Sequence, residues 1–487
     1  MGLSLTFSFS RQGTIGKLSD EILLAIFRYY LDSSPRYWPK LVHICRRWRR
    51  IVFESQGSLH VRLFCTPGTP VLETLYLWPA LPIVVQYGGS PASNPPVPEE
   101  EDNIVAALKQ SDRISSISLT VTKSLLEKLS AIVRPFSELE NLVLLCGDDV
   151  PLTLSSAFWW GPRLRNLHLT RVAIPALLLL LCFSTGLVDL QLHEISEVDY
   201  IYPEVFASAL SGMPHLRTLS IHFLSSSPYP ASVGFPPLSE RVTLLALRKL
   251  RYRGTSEYLY SLAARIDAPQ LGNIDIMITS FSQPSLVGLS HLGQFINRIA
   301  MQKSHRRADI LFSKHAVSIS FTQPEPPTCL ELRLTCEPFS QQLSYIARVC
   351  NGLYPFVISG IEHIRVSAMR PQLGYYHNIK EWQKLLDLFR GTKWAYFAHG
   401  SLSTDIIIAL RRTSGSLHDT PILPALHKLC IQDSEPDSLC REIVESFIYS
   451  RTCSGHRIAV EYERSRINEL HGKGTAFFQR QFLSLTH

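Results

Sequence analysis

From residue 114 onward, apolar residues recur in a Leu-x-x-Leu-x-Leu spacing. Copies fall at Ile114/Ile117/Leu119, Leu139/Leu142/Leu144, Leu164/Leu167/Leu169, Leu187/Leu190/Leu192, Leu216/Leu219/Ile221, Leu247/Leu250/Tyr252 and Leu271/Ile274/Ile276, between 23 and 31 residues apart. Later copies are Cys329/Leu332/Leu334, Ile361/Ile364/Val366 and Leu426/Leu429/Ile431. The last two apolar positions of most copies alternate with polar ones, which predicts a short strand with one face buried. The segments between copies change to helical spacing: Leu125, Leu126, Leu129, Ile132 and Val133; Val205, Phe206, Ala209, Leu210 and Met213; Tyr258, Leu259, Leu262, Ala263 and Ile266; Trp382, Leu385, Leu386 and Phe389; Cys440, Ile443, Val444 and Phe447.

A strand–helix unit of this size buries its apolar face only against the next unit, so such units stack. The period is that of a leucine-rich-repeat-like solenoid, an α/β architecture with parallel strands on the concave side and helices on the convex side. An ordinary parallel α/β domain gives a similar alternation, and the recurring period favours the repeat. The stretch 281–328 breaks the period, and its Ser313–Phe321 portion reads as another strand. If the leucines face the core, their flanking residues face the concave side. That rule selects Asn166, His168 and Thr170; Asp189, Gln191 and His193; Thr218, Ser220 and His222; Lys249, Arg251 and Arg253; Asn273, Asp275 and Met277; and Glu331, Arg333 and Thr335. The set is polar and varied, as a protein-recognition face is. Lys249, Arg251 and Arg253 form a basic ladder that suits an acidic or phosphorylated segment.

The first sixty residues follow another pattern. Ser19 is a good N-cap, Asp20 and Glu21 complement the positive end of a helix, and Ile22, Leu23, Ile26, Phe27 and Tyr30 make one apolar face. Asp32-Ser33-Ser34-Pro35 ends that helix. A second helix near Trp38 carries Leu41, Ile44, Cys45, Trp48, Ile51 and Val52 on one stripe, with Arg46, Arg47, Arg49 and Arg50 on its solvated back. Two or three short helices over some forty residues bury too little surface to stand alone, so they need a partner or a neighbouring domain.

This segment resembles the F-box. The resemblance is carried by Leu18-Ser19-Asp20-Glu21-Ile22-Leu23, Ile26-Phe27, Tyr30-Leu31 and the run Leu41-Val42-His43-Ile44-Cys45-Arg46-Arg47-Trp48-Arg49-Arg50-Ile51-Val52. Ser19 stands where a proline is usual, and Asp32–Lys40 is longer than is typical. The chain is also similar to the F-box proteins abundant in mushroom-forming fungi, through Leu59 to Pro67, Trp78 to Ile83, Ser256-Glu257-Tyr258-Leu259 and Ser454-Gly455-His456. The resemblance implies docking on the Skp-family adaptor and cullin scaffold of an SCF-type ubiquitin ligase, through Leu18, Ser19, Glu21, Ile22, Leu23, Ile26, Phe27, Leu41, Ile44, Cys45, Trp48 and Ile51. Some of these must be internal core, and the sequence does not separate them.

Composition narrows the rest. With 45% hydrophobic and 18% charged residues in 487, the chain has ample core. The longest apolar run, Ile174 to Phe183, contains Pro175 and is about half of a bilayer span, so no integral membrane association is expected. Ten irregularly spaced cysteines without CxxC fit reduced thiols in the cytoplasm or nucleus. A net charge of +7 spread over this length does not favour nucleic acid. GxSxG, P-loop, GxGxxG and HExxH motifs are absent from the sequence, and no cofactor is implied. His168, His193 and His222 come from three strands without a carboxylate or cysteine at fixed offset, so solvated histidines are expected, not a metal site. Met1-Gly2 with Thr6 matches a short myristoylation pattern.

The expected organisation is a flexible segment at 1–14, an F-box at 15–65, a Pro/Gly/Ser and acidic connection at 66–102, the solenoid at 103–465 and a tail at 466–487. The expected function is a non-enzymatic substrate receptor that binds a protein target of unknown identity. The alternative is a repeat scaffold, or a basic nucleic-acid binder, whose N-terminal helices cap the solenoid.

Overall fold

The computed structural model describes residues 17–78, 80–88, 97–130, 135–147, 152–153, 162–173, 177–196, 200–224, 241–280, 286–300, 305–323, 328–336, 339–353, 357–368, 378–398, 400–411, 421–432 and 438–463. The flexible segment and tail expected at the two ends, Gly2, Ile132 and Val133 lie outside them. By its internal contacts the chain divides into two units, Met1–Gly186 and Leu187–His487.

The first unit begins with α1 (Asp20–Ser33), α2 (Trp38–Val42) and α3 (Arg46–Glu54). Strand–helix alternation follows: β1 (Leu63–Cys65), α4 (Val71–Leu77), β2 (Ile83–Tyr87), α5 (Pro98–Leu108), β3 (Ile114–Val121), α6 (Lys123–Ser130), β4 (Asn141–Cys146), β5 (Leu152–Thr153), β6 (Asn166–Thr170), β7 (Val172–Ala173) and α7 (Leu177–Phe183). Strands β1, β2, β3, β4 and β6 pair in that order, all in parallel. Each parallel pair requires a crossover, and the intervening segments supply it. Ile117, Leu142 and Leu167 fall in register, as do Leu119, Leu144 and Leu169, and all six are buried.

The second unit contains β8 (Asp189–Ile195), α8 (Pro203–Ser211), β9 (Thr218–Phe223), β10 (Val242–Thr243), β11 (Lys249–Thr255), α9 (Ser256–Arg265), β12 (Ile266–Asp267), β13 (Asn273–Ser280), α10 (Leu286–Ala300), β14 (Arg307–Phe312), β15 (Ala316–Gln323) and β16 (Thr328–Thr335). It continues with α11 (Phe339–Leu353), β17 (His363–Ala368), α12 (Ile379–Leu386), β18 (Trp394–Ala398), α13 (Gly400–Leu410), β19 (Lys428–Gln432), α14 (Ser438–Cys453) and β20 (Ala459–Glu463). Its sheet runs β8-β9-β11-β13-β16-β15-β14-β17-β18-β19-β20. The mixed α/β, mostly parallel architecture agrees with the alternation read from the sequence.

Two features depart from a simple repeat. The segment that breaks the period holds a meander: β14 pairs antiparallel with β15, and β15 antiparallel with β16. Because β16 lies beside β13 and β14 beside β17, the meander enters the sheet in reverse order and leaves one antiparallel strand among parallel ones. The register of β16 also corrects the assigned repeat. Leu330, Leu332 and Leu334 pair with Ile274, Ile276 and Ile278 and are buried, whereas Cys329 lies on the other face beside Asn273. The strand is therefore shifted by two residues from the assigned copy, which leaves its facing unchanged.

The helices are held by large side chains and a few buried polar clamps. Trp382 of α12 is fully buried against Phe312 and Phe339, with ring centroids 5.6 and 6.4 Å away. Arg265 of α9 reaches Glu204 of α8 at 2.8 Å, both almost enclosed, and Ser261 bonds the same carboxylate. A side chain on Gly293 of α10 would run into the Gly352 carbonyl of α11, so these two helices meet backbone to backbone.

Candidate interaction surfaces

Helix α1 forms as its sequence predicts. The Ser19 hydroxyl accepts from the Ile22 amide at 3.4 Å. The single apolar face, however, resolves into two. Leu23, Phe27 and Leu31, spaced i, i+4, i+8, are buried. Ile22 (49% exposed), Ile26 (48%) and Tyr29 (79%) form a second apolar stripe open to solvent. With Glu21 and Ala25 they line a shallow groove of about 490 Å³. An amphipathic surface helix needs only one apolar stripe, so the outer one is surplus to this fold.

The expected second helix is broken. Cys45 is an extended residue at the start of α3, separating it from α2. Leu41, Val42, Ile51 and Val52 are buried, while Ile44 (62% exposed) and Cys45 face outward. Trp48 is half-buried, its ring 4.7 Å from Phe27. Leu18 is half-buried. Of the residues assigned to docking, Leu23, Phe27, Leu41 and Ile51 thus belong to the internal core. Ser19, Glu21, Ile22, Ile26, Ile44 and Cys45 are the accessible ones.

The arginine run is not a merely solvated back, contrary to the sequence expectation. Arg47 grips Asp20 through Nε at 2.8 Å and Nη2 at 2.6 Å, and also donates to the Leu18 carbonyl. Arg50 adds a 3.1 Å bond to the same carboxylate, and Arg49 bonds the Val42 carbonyl. The Arg47 hydrogen bond is the main cause holding the Asp20 carboxyl below its ordinary range. The Ser19 hydroxyl does the same for Glu21. The three helices are tied to the first strand by Trp38, which is buried, donates its indole N–H to the Arg62 carbonyl at 2.6 Å and packs edge-on against Trp78.

The second candidate surface is the polar face of the sheets. In the first unit, Asn166 sits beside Asn141 and bonds its side chain, and His168 sits beside Val143 with its ring 3.2 Å from the Thr170 hydroxyl. In the second unit, one row runs Asp189, Thr218, Lys249, Asn273 and Cys329, and the next runs Gln191, Ser220, Arg251, Asp275 and Glu331. His222, Arg253, Met277 and Arg333 make a third row. A register shift between Leu192 and Ile195, with Glu194 at φ 56°, brings His193 onto His222. Their rings stack 4.1 Å apart, and His193 also meets the Ser220 hydroxyl at 2.9 Å. Among the described residues, no group of three His, Cys, Asp or Glu is placed to hold a metal ion.

Charges on this face are mixed. Arg251 lies 4.0 Å from Asp275, and Arg333 lies 2.8 Å from Glu331. Burial, then the neighbouring Arg251, lowers the Lys249 ammonium below its ordinary value, and Asp189 and Asp275 oppose the shift. The basic ladder is therefore flanked by carboxylates rather than forming a positive stripe.

Beyond β16 the same face continues on strands outside the set selected from the sequence. His363 and Arg365 flank Ile364, Trp394 and Tyr396 flank Ala395, and Lys428 and Cys430 flank Leu429. They continue the same rows by register. Applying the flanking rule to Ile361/Ile364/Val366 and Leu426/Leu429/Ile431 finds those on β17 and β19.

Among the described residues, no helix is long and apolar enough to cross a membrane. No protein-family model matches the chain, and no curated protein is similar to it. Among solved structures, the leucine-rich repeat-containing protein LegL7 from Legionella pneumophila aligns at 10% identity with a TM-score of 0.28, over 79% of this chain and 96% of that one. At that score the fold rests on the strand order and register above.

Proposed function

We propose that the chain is a non-enzymatic substrate receptor of an SCF-type ubiquitin ligase, with α1–α3 docking on a Skp-family adaptor and the sheet face holding a target protein. The observation that carries the reading is the outer stripe of α1. Leu23 and Phe27 already complete the internal packing, yet Ile22, Ile26 and Tyr29 keep a second apolar surface in water. Such a surface is costly unless a partner covers it. Its residues fall within the segment that resembles the F-box. A receptor in this position, bound through the adaptor to the cullin scaffold, would act by proximity, raising the effective concentration of a target lysine near the conjugating enzyme.

A scaffold that binds proteins without a ligase is the second reading, and it shares the sheet face. A nucleic-acid role is disfavoured by the interleaving of Asp189, Asp275 and Glu331 with the basic ladder, since backbone binding needs unneutralised cations. The test is binding of the full chain to a purified Skp-family adaptor, comparing outer-stripe variants of α1 with wild type.

A further inference from the structure

The sheet face of the second unit carries an exposed tryptophan far from the basic ladder. Trp394 on β18 is 51% exposed. The His363 ring lies edge-on to it at 5.2 Å, and the Lys428 ammonium stands 5.0 Å from its ring centre. One position along the same face, Arg365 of β17 lies over the Tyr396 ring at 4.8 Å.

Two neighbouring cations are paired. Lys428 pairs with Glu461 at 2.7 Å, and Arg307 holds Asp309 with both Nε and Nη2. Asp309 is the carboxylate in register with Arg365, but it is committed to Arg307. Among the described residues Arg365 forms no ion pair. The patch thus combines a half-exposed tryptophan, flanked by His363 and Lys428, with a guanidinium that lacks a carboxylate, and Trp, Tyr and Arg are the residues that concentrate binding energy in interfaces.

We propose that this patch grips an extended segment of a partner protein carrying a large apolar side chain two positions from a carboxylate. Trp394 and Arg365 are diagonal neighbours on adjacent parallel strands, which separates their backbone positions by roughly 8 Å. Residues i and i+2 of an extended chain project to one side roughly 6.5–7 Å apart. The apolar side chain packs on the exposed part of Trp394, and the carboxylate takes the free hydrogen-bonding edge of Arg365. The inference rests on the reading of the sheet face as the target-binding surface and names the target's chemistry there.

The test uses the full chain and three labelled nonapeptides in a Gly/Ser frame, each displayed on a tetravalent carrier. One has Phe and Glu two positions apart, and the others replace that Glu by Gln or Lys. Wild type is expected to bind the Glu peptide about tenfold or more tightly than the Gln peptide, and the Lys peptide least. Trp394→Ala is expected to abolish binding with an unchanged Tm. Arg365→Glu is expected to shift the preference to the Lys peptide, a gain that misfolding would not produce. Equal binding of the three peptides, no binding by wild type, or an unchanged preference in Arg365→Glu overturns the proposal. Binding that survives Trp394→Ala but falls in Arg251→Glu overturns this site and leaves the sheet-face reading standing. Binding insensitive to both substitutions overturns both.

Discussion

Arg47 of α3 closes on Asp20 at the first turn of α1, Nη2 to Oδ1, at 2.6 Å. Because the same guanidinium also takes the Leu18 carbonyl, the start of α1 is fixed in rotation. That rotation decides which stripe of α1 turns inward and which faces solvent.

The Asp20 carboxyl titrates below its ordinary range because Arg47 and then Arg50 hydrogen-bond its charged form. A depressed folded pKa means that the pairing contributes at pH values above the unfolded pKa, near 3.9, and is lost as pH falls through the lower folded value. An NMR titration of the Asp20 carboxyl carbon should show the depression in wild type and a smaller one in Arg47→Ala, where Arg50 still bonds the carboxylate. An Asp20 that titrates at its ordinary value in wild type contradicts the contact.

The two stripes of α1 should respond oppositely to truncation. Phe27 is 1% exposed, and Phe27→Ala should destabilise the chain by about 3–5 kcal/mol. Ile26→Ala, at 48% exposure, should change stability by no more than about 0.5 kcal/mol. Urea unfolding of the two variants checks the difference.

Much of the fold was legible because each repeat carries its own signal. In β3, β4 and β6 every assigned strand residue is buried, since the strand period of two is local, although β3 also buries Ser115, Thr120 and Val121 and β4 also buries Leu145 and Cys146. The meander was not legible. Whether β15 runs antiparallel depends on pairing with β14 and β16, which the alternation in Val317, Ile319 and Phe321 does not encode. The two stripes of α1 merged for a related reason: Ile22 and Leu23 are equally apolar, and only tertiary packing, such as that of Phe27 against Trp48, distinguishes inside from outside. The break at Cys45 escaped because helical spacing continues across it from Leu41 to Trp48.

The pair between Arg265 and Glu204 should be sensitive to removal of one partner. Arg265→Ala leaves a nearly enclosed carboxylate with Ser261 as its remaining bond and should cost about 3–5 kcal/mol. Lys384→Ala breaks a pair with an exposed lysine on α12 and should cost about 0.5 kcal/mol or less. Similar losses in both would mean that the α8–α9 pair is solvated.

The backbone contact between α10 and α11 sets a steric limit. Gly293→Ala should destabilise the chain by about 1–3 kcal/mol through overpacking against the Gly352 carbonyl. Gly57→Ala, with open space around the added carbon, serves as the control. Equal unfolding midpoints in the two variants would show that α10 and α11 do not meet there.

Docking through the outer stripe of α1 is open to direct test. The most direct measurement is calorimetric titration of the full chain with a purified Skp-family adaptor, in wild type, Ile22→Asp/Ile26→Asp and Trp394→Ala. Wild type and Trp394→Ala are expected to bind, and the double variant is expected to lose binding at an unchanged Tm. A folded wild type that does not bind, or a double variant that binds as wild type does, contradicts this docking and leaves α1–α3 as a cap on the first strand.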